Sequence, residues 1–96
     1  MKQIQRIQEM EQRLNQSIEA INQLTSALEK YRSAQESIEK LKAYLSSKEW
    51  KKDFSDSEAG RLPADLKCGV LSQDGIWNML ENSRELNTEM LQFATD

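Results

Sequence analysis

Cys68 is the only thiol in this 96-residue chain, and there is no histidine at all. The side chains that most often serve as nucleophile, general base and metal ligand are thereby reduced to one. A reactive Cys68 would need a neighbouring base or a helix start to lower its pKa. It stands instead at the end of an expected turn, where a structural or incidental surface thiol is the simpler reading. The carboxylates come next. Glu49 and Asp53 lie four residues apart, on one face of a helix, with Asp56 and Glu58 close behind. Such a pair could offer oxygen ligands to a hard cation. Lys48, Lys51 and Lys52 interleave with it, however, and no calcium-loop spacing is present. A charged exterior accounts for the cluster without a metal, and no pattern calls for a cofactor. A small-molecule or metal-dependent enzyme using Glu49, Asp53 and Lys67 remains the alternative reading.

The aromatic residues carry more weight. Trp50 and Phe54 are four apart, and Leu62 and Leu66 follow soon after. Packing of this pair against those leucines would pin an irregular middle segment onto the helices. The functional reading is that Trp50, Phe54, Leu66, Leu71 and Trp77 leave an apolar surface for a partner. Trp77 lies one residue off the apolar line through Ile76, so it is the better placed for exposure. Asp65 and Lys67 are explained by local structure near a helix start.

These residues sit on a chain whose breakers are confined to one window: Gly60, Pro63, Gly69 and Gly75, with neither glycine nor proline in residues 1–59. From Ile4 through Ile7, Met10, Leu14, Ile18, Ile21, Leu24 and Leu28 to Tyr31, apolar residues recur at steps of three or four. That is one long amphipathic helix with a narrow stripe, close to a coiled-coil seam, in which Ser17 interrupts the heptad and Ile18 fills in. A helix of 59 residues would span roughly 90 Å, whereas a compact domain of this length has a radius of gyration of about 13 Å. The spacing Ser33 to Glu36 reads as a capping box and predicts an interruption there. A second helix then carries Ile38, Leu41, Tyr44 and Leu45. The spacing Ser46 to Glu49 predicts a third start. Gly60 suits a helix end, Pro63 and Gly69 bracket an expected short helix Ala64–Cys68, and Ser72 is an N-cap for the last helix. That helix carries Ile76, Met79, Ser83, Leu86, Met90 and Phe93.

The expected fold is therefore all-α, a single helical domain over residues 1–96. Its long N-terminal helix packs antiparallel against a C-terminal helix, and shorter helices and a Gly/Pro-bounded turn join the two. The expected register sets Ile76 beside Leu28, Ser83 beside Ile21 and Phe93 beside Met10.

Bulk numbers bound the function. With 38% hydrophobic and 30% charged residues, the composition is that of a folded helical protein, and a chain this short buries only about two thirds of its unfolded surface. A net charge of −3 argues against dedicated nucleic-acid binding, which needs a clustered basic face. The one local exception, Lys40, Lys42, Lys48, Lys51 and Lys52, leaves a nucleic-acid-associated regulator as a third reading. No run approaches the roughly 20 apolar residues of a membrane span. The first residues lack the apolar run of a secretory signal, so a cytoplasmic setting is expected, and the single Cys68 agrees with it.

Two segments carry a resemblance: Tyr44 with Glu49-Trp50-Lys51-Lys52-Asp53, and Leu62-Pro63-Ala64-Asp65-Leu66-Lys67-Cys68-Gly69-Val70-Leu71-Ser72. With the long N-terminal helix, the chain resembles a family of small bacterial proteins catalogued only as a domain of unknown function. The likeness covers nearly the whole chain. It implies a helical fold and a bacterial cytoplasmic setting, and it brings no activity. Cys68 stands where a basic residue is common in that family, which implies no role for the thiol. The reading favoured by all of this is a small cytoplasmic helical protein-interaction module without catalysis. It would use a protein partner or a homodimer, because the stripe from Ile4 to Tyr31 is longer than the C-terminal helix can cover.

Overall fold

The computed structural model describes residues 1–72 and 74–96; Gln73, directly after the second segment above, lies outside the described residues. Among the described residues, three α-helices and one 3₁₀ turn follow in order: α1 (Lys2–Leu45), α2 (Lys48–Glu58), the 3₁₀ turn Gly69–Leu71, and α3 (Gly75–Thr95). The chain divides into two units, Met1–Gln35 and Glu36–Asp96.

The first unit is the N-terminal part of α1, and none of its residues from Met1 to Lys30 is even half-buried. Its apolar stripe is laid out as the periodicity predicts. From Ile4 to Leu28 the stripe residues are 38–63% exposed. Ser17 Oγ donates to the Arg13 carbonyl and Thr25 Oγ1 to the Ile21 carbonyl, so both hydroxyls are satisfied by their own helix.

The expected interruption at Ser33–Glu36 does not occur, since α1 continues through it to Leu45. A capping box stabilises a helix start by about 1 kcal/mol. It does not stop a preceding helix that contains good helix formers and no glycine or proline. Ala34, Gln35 and Glu36 continue the ladder. Gln35 Nε2 donates to the Tyr31 carbonyl, and Glu36 pairs with Lys40 at 3.2 Å; that exposed pair adds little.

Within the second unit, the chain turns at Ser46–Ser47. The cap of α2 is Ser47, one residue later than expected: its Oγ accepts from Trp50 N at 3.1 Å and donates to the Tyr44 carbonyl at 2.5 Å. Ser46 instead returns its hydroxyl to the Lys42 carbonyl. At the other end Gly60 adopts φ +72°, with Gly60 N bonded to the Ser57 carbonyl and Arg61 N to the Asp56 carbonyl. This is a Schellman ending, which needs a left-handed residue. Arg61 also closes back on Asp56 at 3.1 Å.

The expected helix Ala64–Cys68 is absent. Pro63 makes a single turn, through Leu66 N to the Pro63 carbonyl, and Gly69 begins the 3₁₀ turn rather than ending a helix. Five residues cannot offset the cost of helix nucleation without a packed face, and Leu66 is 53% exposed.

The core of the described residues consists of Leu71 and Ile76, 7% and 4% exposed. Leu41 near the end of α1, Val70 in the 3₁₀ turn, and Ile76 and Met79 at the start of α3 line one open apolar groove of about 230 Å³. Here the long N-terminal helix meets the C-terminal helix. The register differs from the expected one: Ile76 lies with Leu41, because α1 continues past Ser33 and the reversal comes later in the chain. Phe93, expected against Met10, is 81% exposed.

Candidate functional site

The aromatic corner of α2 is held from three directions. The Ser47 cap fixes the first turn, and the i, i+4 spacing then sets Trp50 and Phe54 on one face. Their rings stack with centroids 5.2 Å apart and planes 15° from parallel, a favourable offset geometry. Trp50 Nε1 donates to the Val70 carbonyl at 2.9 Å, tying α2 to the 3₁₀ turn twenty residues on. On the same helix, Asp53 Oδ2 accepts from the Tyr44 hydroxyl at 2.6 Å, tying α2 back to α1.

That short bond dominates the titration of Tyr44. The hydrogen bond to Asp53, then burial, then the negative charges that Asp53 and Cys68 can carry, push the hydroxyl up from 10 to about 12. The fold thus favours the neutral phenol, and this stabilisation is full below pH 10 and lost as pH rises through 12. The urea midpoint of the wild type is expected to fall across that window, followed by circular dichroism, with a component of the fall absent in Tyr44→Phe. Equal slopes in the two proteins would show that the Tyr44–Asp53 bond contributes nothing to stability. Asp53 is engaged with a phenol here, and Glu49 is exposed in the first turn of α2. No group of three His, Cys, Asp or Glu among the described residues is placed to hold a metal.

Cys68 is half-buried and free, with Sγ 3.5 Å from the Leu66 carbonyl. Ser72 closes the segment by donating to the Gly69 carbonyl at 3.0 Å and accepting from Gly75 N at 3.1 Å. The expected cap residue therefore does serve the start of α3, although the helix proper begins only at Gly75.

Of the five residues expected to form an interaction surface, the structure brings Trp50 and Phe54 together, both half-buried. Leu66 and Trp77 are 53% and 55% exposed. Leu71 is corrected: it belongs to the core, because the 3₁₀ turn points it inward beneath the segment. Trp50 and Phe54 stack on each other, and Trp50 also reaches the Val70 carbonyl. The hydrogen bonds Tyr44–Asp53 and Trp50–Val70 were not foreseen, although the spacing Tyr44, Trp50, Asp53 carried the signal for the first. The aromatic corner is thus occupied by its own structure. The α1 stripe, in contrast, is an exposed line of apolar side chains from Ile4 to Leu28 beside uncharged Gln and Asn.

No helix among the described residues is long and apolar enough to cross a membrane. A family model described as "Domain of unknown function (DUF4298)" matches residues 7–93. No curated protein and no solved structure matches the chain.

Proposed function

The chain belongs to the DUF4298 family of domains of unknown function, and from that premise we propose that it is a small helical protein-interaction module of the bacterial cytoplasm, acting by surface contact without catalysis. One observation carries the reading: from Ile4 to Leu28 every residue of the apolar stripe on α1 is at least 38% exposed. Scattered exposed leucines are ordinary. An unbroken seam at three-four spacing is the form a helix takes when its other half lies on another helix. The absence of histidine from the sequence and the engagement of Asp53 with Tyr44 support contact rather than chemistry.

The test compares tagged wild type with Leu14→Glu/Ile21→Glu, a variant that places two charges in the stripe and leaves the Glu36–Asp96 unit untouched. Each is used to capture proteins from bacterial lysate, with helicity checked by circular dichroism. A protein held by wild type and released by the folded variant supports the reading. Retention of the same set by both, or of nothing by either, counts against it.

A further inference from the structure

We propose that residues 1–30 of α1 are a conformational device: a helical arm that opens and closes independently of the Glu36–Asp96 unit and assembles the apolar stripe only while closed. The inference goes beyond the interaction reading and does not rest on it.

The arm is held at one end. α1 enters the second unit without a break. There Leu41 lines the apolar groove and the Tyr44 hydroxyl donates to Asp53, so the last turns of the helix are fixed by packing. A fixed turn serves as the nucleus, and residues added toward Met1 avoid the nucleation factor, on the order of 10⁻³. Each one gains a propagation factor of only about 1–1.6 even for good helix formers in the cold. Growth from the held end is therefore open to the chain, but barely favoured.

The arm's own residues add little to that balance. Among the described residues, every one from Met1 to Lys30 is exposed, so burial does not supply the packing that stabilises most helices in proteins. Asn15, Ser17, Asn22, Thr25 and Ser26 are weak helix formers in the middle of the arm. The Ser17 and Thr25 hydroxyls return to carbonyls four residues back, a bond that slightly weakens a helix. No acidic residue stands in the first turn. Lys2 is there instead, facing the positive end of the helix dipole and four residues from the like-charged Arg6. No recorded ion pair joins side chains of residues 1–30; the one side-chain pair is Gln23 to Glu19, at 3.3 Å.

Closing the arm and building its apolar face are one event. Ile7, Leu14 and Ile21 fall in line only because a helix brings every seventh residue back to the same side; an open chain scatters them. Because the balance is close, small changes far from the stripe set how much of the face exists. Gln12 and Gln16 lie on the side opposite Leu14, and glycine in place of alanine at such a position lowers the local helix equilibrium about fivefold.

Urea titration of the full-length wild type at low micromolar concentration tests the device without any substitution. Trp50 and Trp77 both belong to the Glu36–Asp96 unit, so their fluorescence reads that unit alone, whereas far-ultraviolet ellipticity reads both. Ellipticity is expected to fall gradually at urea concentrations where fluorescence is still native, and then to share the cooperative step. Coincident transitions would overturn the proposal. Gln12→Gly/Gln16→Gly should lower the ellipticity by up to the share of residues 1–16 in a chain of 96, and Gln12→Ala/Gln16→Ala should raise it. The fluorescence midpoint should be the same in both. Equal ellipticity in the two variants would overturn the proposal, as would amide protection over residues 5–20 matching that around the buried Ile76; on the order of tenfold or less is expected there. Stripe-dependent capture of a protein, alongside coincident transitions, would leave the interaction reading standing and remove the device.

Discussion

Trp50→Ala is expected to destabilise the Glu36–Asp96 unit by about 3 kcal/mol, at the lower edge for truncating a large aromatic because the ring is only half-buried. Three losses combine. The indole leaves its stack on Phe54, worth about 1 kcal/mol beyond area alone. The Nε1 bond to the Val70 carbonyl disappears, a further contribution of about 1 kcal/mol. The space vacated adjoins the turn that carries Leu71, which with Ile76 forms the core of the described residues, so few other side chains can close over it. Trp50→Phe separates these causes in part, since it keeps a six-membered ring to stack on Phe54 and removes the pyrrole ring with its N–H. Its cost should be about 1 kcal/mol. Urea unfolding followed by circular dichroism gives both numbers. A Trp50→Ala loss below 1 kcal/mol would mean that the corner does not hold α2 to the 3₁₀ turn.

The effect should be local. Amide exchange over residues 1–30 is expected to be the same in Trp50→Ala and wild type, because every residue from Met1 to Lys30 is exposed. Division of labour follows: the second unit carries the tertiary structure, and the first offers a helix face. Helix propensity alone leaves such a face marginal in water, which is a physical reason for it to be covered in use.

How much of this was legible depended on whether the signal was local. The stripe from Ile4 to Leu28 was readable because a three-four period needs only the geometry of one helix. Gly60 was readable because only a left-handed position asks for glycine at that place. The stop at Ser33 was misread because a cap motif states where a helix can start, not where the one before it must end. The helix over Ala64–Cys68 was misread for a related reason: Pro63 and Gly69 mark boundaries, but helicity between them needed a packed face that Leu66 does not supply. The register was beyond reach from sequence, since Ile76 could satisfy its burial equally well against Leu28 or Leu41. The Trp50 bond to the Val70 carbonyl joins a side chain to a backbone group, and no residue type at position 70 announces it.

Gly75→Ala should be nearly as damaging as Trp50→Ala, although it adds one methyl to a residue at the protein's surface. A Cβ at this position would lie 2.6 Å from Ser72 Oγ and 2.9 Å from the Gly69 carbonyl oxygen, both nearer than carbon ordinarily comes to oxygen. The close approach exists because Ser72 bridges the two glycines, donating to one and accepting from the other. Ser72 can rotate away, but then it loses the contact that ends the 3₁₀ turn and starts α3. The Gly69 carbonyl is backbone and can move only if the turn carrying Leu71 moves with it. Forced overpacking of this kind costs about 1–3 kcal/mol, and the upper half of that range is expected here, beside the buried Ile76. Ser72→Ala alone should cost about 1 kcal/mol, as for other lost caps. Adding it to Gly75→Ala should recover only part of the loss, since the carbonyl remains in the way. Full additivity in that double-mutant cycle would show that the serine was never in contact with the new methyl. Complete rescue would show that the backbone yields freely, and the two glycines would then be replaceable.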